Sequence, residues 1–272
     1  MATIAAVYFG HSHLAAMIPF LYNRELEHGE QGNAIEHYVF DIYNNRNIFN
    51  QDETKLPYGI NENGRVYFNP SLLERVRARV QCDRKIVFIS MFGGNSHNAL
   101  TLLSSDRVYD FMLEGETDLP LDSKRELIPY DAVHAAIYRN TEAFLIDLEG
   151  LAGSVSEPVY HVLSPPTIED DHLVSQIVTN DAILAQTGNS VTPAIIRYKS
   201  WQVHNRIFIE KCSQIGANVI YTPQDAISDG KWLATDCISS DATHGNVHFG
   251  GLIFKHIEKV LGGHFAGWDW IK

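Results

Sequence analysis

Short runs of β-branched and aromatic residues alternate along this chain with longer stretches of helical spacing, and that alternation limits the fold more than any other feature. The runs are Thr3 to Phe9, Tyr38 to Tyr43, Lys85 to Phe92, Pro158 to Leu163 and Asn218 to Tyr221, each bounded by turn residues. Near-continuous apolar runs of this length suit strands buried on both faces. Between them, Pro70 to Val80, Ala132 to Leu148, Pro193 to Ile215 and Val247 to Leu261 carry helical periodicity. Asn69-Pro70-Ser71 offers a cap with proline in the first turn, and Gly216 sits just past the third helix. Strand and helix in alternation predict a three-layer α/β/α sandwich around a mostly parallel, five-stranded sheet.

The 272 residues suit one large domain, which at this length buries roughly three quarters of its unfolded surface. No repeat, low-complexity tract or linker divides the chain, so residues 1–272 are expected to form a single domain. Two stretches, 44–69 and 98–129, are rich in turn-forming and polar residues and are expected to be insertions or lids beside a site.

Twenty-one Lys and Arg against 33 Asp and Glu give a net charge of -12. With no basic run to follow a phosphate backbone, nucleic acid is not an expected partner. No stretch of about 18 apolar residues predicts a membrane span. The apolar start lacks a basic leader region and is broken by Gly10-His11-Ser12-His13, so it reads as a strand, and the expected compartment is the cytoplasm. The three cysteines, Cys82, Cys212 and Cys237, are widely spaced; buried free thiols in a reducing compartment fit them.

In an open parallel sheet, ligands bind beyond the carboxyl ends of the strands, where loops and helix N-termini converge. Three segments qualify: Gly10-His11-Ser12-His13 after the first strand, Gly93-Gly94-Asn95-Ser96-His97 after the third, and Ser240-Asp241-Ala242-Thr243-His244 beyond the fifth. A serine hydroxyl needs a base to take its proton and a third group to hold that base in the right tautomer. Asp241 and His244, three apart, suit that pairing in a turn or first helical turn, leaving Nε2 of His244 for Ser12. Asn95 offers a side-chain amide to an oxyanion and Ser12 its backbone N–H, each donor being worth about 3 kcal/mol in a transition state.

Each of these residues also has a plainer use. Ser12 or Asp241 would serve as a helix N-cap, and Asn95 as a turn residue tolerating positive φ. His11, His13 and His97 crowd the expected pocket as substrate contacts beside Gly94. Together with His248 and Asp241 they raise the question of zinc, but no helical HExxH-like pair accompanies them and no metal or organic cofactor is expected. His161 reads as a core histidine and the four tryptophans as packing residues. Gly250-Gly251 and Gly262-Gly263 match no phosphate loop.

The motifs GHSH with Ser12, GGN with Asn95 and DATH with Asp241 and His244, followed by the helix-patterned tail HGNVHFGGLIFKHI, together resemble the SGNH (GDSL-like) hydrolase superfamily. The resemblance spans nearly the whole chain and implies a flavodoxin-like sheet. It also implies that Ser12 is nucleophile, His244 base and then acid, Asp241 its orienting partner, and Asn95 with the Ser12 N–H the oxyanion donors. The implied reaction is hydrolysis of a small acyl oxygen ester such as acetyl, on a carbohydrate or other small molecule. Acyl transfer to a sugar or alcohol through the same residues is the first alternative. The chain has Gly-His-Ser where the family has Gly-Asp-Ser, and Tyr43 to Asn47 supplies no glycine after the second strand. These departures motivate a second alternative, a binding protein that keeps the fold without turnover. Oligomeric state is not legible in the sequence.

Overall fold

The computed structural model describes residues 3–26, 32–41, 59–63, 65–104, 108–181, 184–187 and 189–271. Six strands build one sheet: β1 (Thr3–Gly10), β2 (Asn33–Asp41), β3 (Lys85–Met91), β4 (Val159–Val162), β5 (Asn218–Ile220) and β6 (Gly263–Trp270). Their order is β6-β2-β1-β3-β4-β5, and every neighbouring pair is parallel. The principal helices are α1 (Ser12–Met17), α2 (Pro70–Arg79), α3 (Tyr130–Ser154), α4 (Asp171–Asn180), α5 (Ala194–Ile215) and α6 (Val247–Val260).

Strand β1 shows why both faces must be covered. Ala5, Val7 and Phe9 enter one core with Leu72 and Val76 of α2, Leu145 and Leu148 of α3 and Ile207 and Phe208 of α5. Ile4, Ala6 and Tyr8 enter the other with Leu14 of α1, Val174 of α4 and Ile253 and Phe254 of α6. Side chains alternate across a strand, so an all-apolar strand demands helices on both sides. The three-layer sandwich follows.

The five predicted strands and four predicted helices all form, but three features differ from expectation. The sheet has a sixth strand, β6, in a stretch where the sequence offered only tryptophans for packing and a Gly262-Gly263 pair matching no phosphate loop. Gly263 is what lets it start against β2: a Cβ there would lie 2.2 Å from the Asn33 carbonyl oxygen. Helix α4, capped by the Asp170 carboxylate accepting from the N–H groups of His172 and Leu173, was also not anticipated. Finally, Cys212 and Cys237 are buried, but Cys82 is exposed.

The stretch 44–69 contains an antiparallel hairpin, Gly59–Glu62 with Arg65–Phe68; its first part, with Tyr43 to Asn47, lies outside the described residues. Within 98–129, Tyr109–Asp110 pairs parallel with Glu126–Leu127. A buried ion pair pins this stretch to α5. Lys199 Nζ donates to Asp110 Oδ1 at 2.8 Å and to the Pro120 carbonyl at 2.9 Å, and Asp110 also accepts from the backbone N–H groups of Phe111 and Asp122. Among the described residues, no helix is long and apolar enough to cross a membrane.

Removing one partner of a buried pair strands the other charge in the interior, whereas an exposed pair is largely screened by solvent. Lys199→Met is therefore expected to cost about 3–5 kcal/mol in urea unfolding. Lys211→Met, which breaks the more exposed pair with Glu149, is expected to cost at most about 1 kcal/mol.

Candidate active site

The strand order places the site before any side chain is considered. The chain moves from β1 to β2 on one side of the sheet and reaches β3 on the other, so the crevice of the topological switch lies beyond the carboxyl ends of β1 and β3. These strands run in register to Gly10 opposite Met91. The turns that follow, carrying Ser12 and Asn95, therefore leave the sheet side by side.

They touch directly. A Cβ on Gly94 would stand 2.7 Å from Cδ2 of His13, so only glycine lets the second turn lie against the first. The Asp241–His244 segment closes over both. His244 Nδ1 lies 2.9 Å from Asp241 Oδ1, and the His13 and His244 rings pack with centroids 4.4 Å apart. Asn95 Nδ2 stands 3.5 Å from both His244 Nε2 and Thr243 Oγ1.

Asp241 is held in a turn of its own making. Its Oδ1 accepts from the backbone N–H groups of Thr243 at 2.8 Å and His244 at 2.9 Å, and from the Thr243 hydroxyl at 2.9 Å. Partial burial opposes ionisation, but the bonds from His244 and Thr243 outweigh it and keep this carboxyl well below the usual carboxylate range. An ionised Asp241 accepts the Nδ1–H of His244 and so fixes the tautomer in which Nε2 is an acceptor. The pair lies in a turn ahead of α6, whose cap is Asn246, accepting from the Phe249 N–H at 3.0 Å.

Ser12 is the first residue of α1, and His11 holds the cap position. Ser12 is half-buried, and its hydroxyl makes no hydrogen bond to another described residue. The structure thus brings Asp241, His244 and Asn95 into one bonded group, with Ser12 on the adjoining turn. His11 packs edge-on against Phe144 and Phe92. His13 and His97 are buried, at 6% and 2% exposure, and His97 packs on His204 at 4.6 Å. Neither is presented to solvent.

Two supports were not anticipated. Thr243 lies inside the DATH motif as a hydroxyl able to bridge acid and amide. The other is His204 on α5, whose Nε2 donates to the Gly93 carbonyl at 3.1 Å and lies 3.0 Å from Ser96 Oγ. Ser96 in turn meets Thr141 Oγ1 at 3.0 Å, and Asn140 donates to the Ser96 carbonyl. Side chains of α3 and α5 thereby hold the Gly93–Asn95 turn from beneath, a link that no spacing in the sequence signals. His161 stacks on Phe208 at 4.3 Å and meets Ser90 Oγ at 3.0 Å, as a core histidine does.

Beside this group an enclosed space of about 10 Å³, lined by His13, Gly94, Met17, Met91, Ser164 and Phe249, has room for about one water. A larger apolar groove of about 590 Å³ runs past Met112, Leu127, Ile128 and Tyr130, and none of the residues above lines it.

No family model and no curated protein matches this chain. Solved structures align along nearly the whole of this chain at low identity. A carbohydrate acetylesterase from Sinorhizobium meliloti aligns over 95% of this chain and 98% of its own, with 10% identity and a TM-score of 0.37. An aryl esterase from M. smegmatis aligns over 95% and 98%, with 13% identity and a TM-score of 0.39. The periplasmic domain of a lipopolysaccharide acetyltransferase from Salmonella ser. Paratyphi A aligns over 96% and 84%, with 11% identity and a TM-score of 0.42.

Burial strongly disfavours the charged imidazole around this site. It lowers His11 and His204 to about 4 and His161 to about 3, and it pushes His13, His37 and His97 down as well. An unfolded histidine titrates near about 6.5, so below that pH the unfolded chain binds protons that the folded chain refuses. Stability is then complete above about pH 6.5 and falls as pH drops toward 4, by up to about 1.4 kcal/mol per pH unit for each such group. Urea midpoints at pH 7.5 and 5.5 are expected to differ by several tenths molar or more in this direction; equal midpoints would show that these histidines accept protons in the folded state.

Proposed function

We propose that this protein is a serine ester hydrolase of the SGNH type, acting on a small acyl ester through an acyl-enzyme. The observation that carries the reading is the Asp241–His244 pair, closed at 2.9 Å, with the Asn95 amide 3.5 Å from His244 Nε2 and the Ser12 turn packed alongside through His13 and Gly94. A carboxylate that fixes an imidazole tautomer, an acceptor nitrogen aimed at a crevice and an amide donor beside it are the parts that activate a hydroxyl and stabilise an oxyanion.

In this mechanism His244 Nε2 takes the proton of Ser12 as Oγ attacks the ester carbonyl. Asp241, through Nδ1–H, stabilises the imidazolium that forms. The Asn95 amide and the Ser12 N–H, which as the first of α1 has no acceptor within the helix, receive the oxyanion. His244 then protonates the departing alcohol, and water activated by the same nitrogen releases the acid from Ser12. His204, through Gly93 and Ser96, acts as a positioning residue for the Asn95 turn.

A small acyl group, acetyl in size, is the proposed acid half. A carbohydrate is the proposed alcohol half.

A fluorophosphonate probe is expected to label wild-type protein on the peptide containing Ser12 and to leave Ser12→Ala unlabelled. Against a small activated acetyl ester, Ser12→Ala is expected to fall to background. His244→Ala should lose about 10³-fold, and Asn95→Ala about 10²–10³-fold in kcat. Equal turnover by wild type and Ser12→Ala would refute the proposal, and release of acid without any added sugar or alcohol would favour hydrolysis over acyl transfer.

A further inference from the structure

The loop that carries Asp241 and His244 has a closed neck. Ile238 and Gly245 form an antiparallel bridge, and the Asn246 N–H donates to the Cys237 carbonyl at 2.9 Å. Asn246 Nδ2 completes the closure, donating to the carbonyls of Asp236 at 2.7 Å and Ile238 at 3.0 Å. On the outer side of this neck three different ligating side chains converge. Asp236 and Cys237 end the 3₁₀ turn Thr235–Cys237, and His248 is the second residue of α6.

His248 Nε2 lies 3.3 Å from Asp236 Oδ2. The ligating atoms of all three residues, the Cys237 sulfur included, lie within 4.8 Å of one another. Adjacent ligands of a tetrahedral zinc ion, with bonds of about 2.0–2.3 Å, stand roughly 3.3–3.7 Å apart. The Asp236–His248 contact already has the length of one edge of such a polyhedron, and the sulfur lies within 4.8 Å of both partner atoms.

We propose that Asp236, Cys237 and His248 form a binding site for a zinc-class divalent metal ion. The donor set is one imidazole nitrogen, one sulfur and one carboxylate oxygen. It suits zinc or cobalt, and a hard cation such as magnesium or calcium would reject its sulfur and nitrogen. Cys237 is fully buried and supplies the inner ligand, while the Asp236 and His248 side chains are 69% and 55% exposed and leave the fourth position to water. On binding, the Cys237 thiol releases its proton to solvent as the metal–sulfur bond forms. The ion would tie the 3₁₀ turn to the start of α6 and so clamp the base of the loop holding the acid–base pair.

Cobalt(II) is the probe, added to Cys82→Ser protein so that the exposed thiol does not contribute. One equivalent is expected to produce a thiolate-to-cobalt charge-transfer band that one equivalent of zinc removes. Cys237→Ser should abolish the band. His248→Ala, a surface change that leaves the core intact, should weaken cobalt binding by about tenfold or more. Adding Ser12→Ala should leave the titration unchanged, so metal uptake and ester turnover stand or fall separately. Absence of the band, or wild-type cobalt affinity in His248→Ala, would overturn the proposal.

Discussion

Everything at the site depends on two parallel strands ending level. Because β1 and β3 run in register to Gly10 and Met91, the turns after them leave the sheet at the same height, and a glycine at 94 lets one lie flat against an imidazole of the other. Had either strand run one residue further, its next side chain would have faced the opposite layer, and Ser12 and Asn95 would not share a crevice. The acid–base pair comes from a third direction, on a loop hung between the last 3₁₀ turn and α6, and it reaches the same point because α6 is itself anchored. The carboxylate of Glu258 on that helix receives Arg24 and meets His37 Nε2 at 2.9 Å, and His37 meets the Tyr8 hydroxyl at 2.8 Å. Strands β1 and β2, the segment carrying Arg24 and helix α6 are thus held together by buried polar links as well as by apolar packing.

The fold was largely legible in the sequence because strands buried on both faces leave a plain record: Thr3 to Phe9 and Lys85 to Phe92 are apolar nearly throughout. The candidate site was legible for a related reason, since the strand-end rule reduces the search to a few loops and complementary polar residues stand out there. Asp241 and His244 could be paired because their contact is local. Ser12 lies on the turn after β1, as the strand-end rule expects, and among the described residues no hydrogen bond joins its hydroxyl to the Asp241–His244 pair. Residues whose role depends on distant packing left no such trace. His204 reads as one more residue of a long helix until α5 is seen beneath the Gly93–Asn95 turn, and β6 was lost because glycine usually marks a break, whereas Gly263 is demanded by close approach to another backbone.

The histidines divide by environment. His244 is paired with a carboxylate at the mouth of the crevice, while His13, His97, His161 and His204 form a buried neutral set behind it. A neutral imidazole in the interior offers both a donor and an acceptor without the desolvation cost of a charge, which suits it to bracing a turn such as Gly93–Asn95. The price is sensitivity to acid, concentrated in the layer that supports the reacting groups.

The sixth strand has a consequence for how the molecule is assembled. It covers the outer edge of β2, and some 220 residues separate the two in the chain, much as 234 separate Arg24 from Glu258. Until residues 263–270 arrive, β2 presents an open row of amide and carbonyl groups, the kind of template on which a neighbouring chain can add a strand. During synthesis that exposure persists over more than 200 residues, so the nascent protein runs its greatest risk of intermolecular pairing before residues 263–270 emerge.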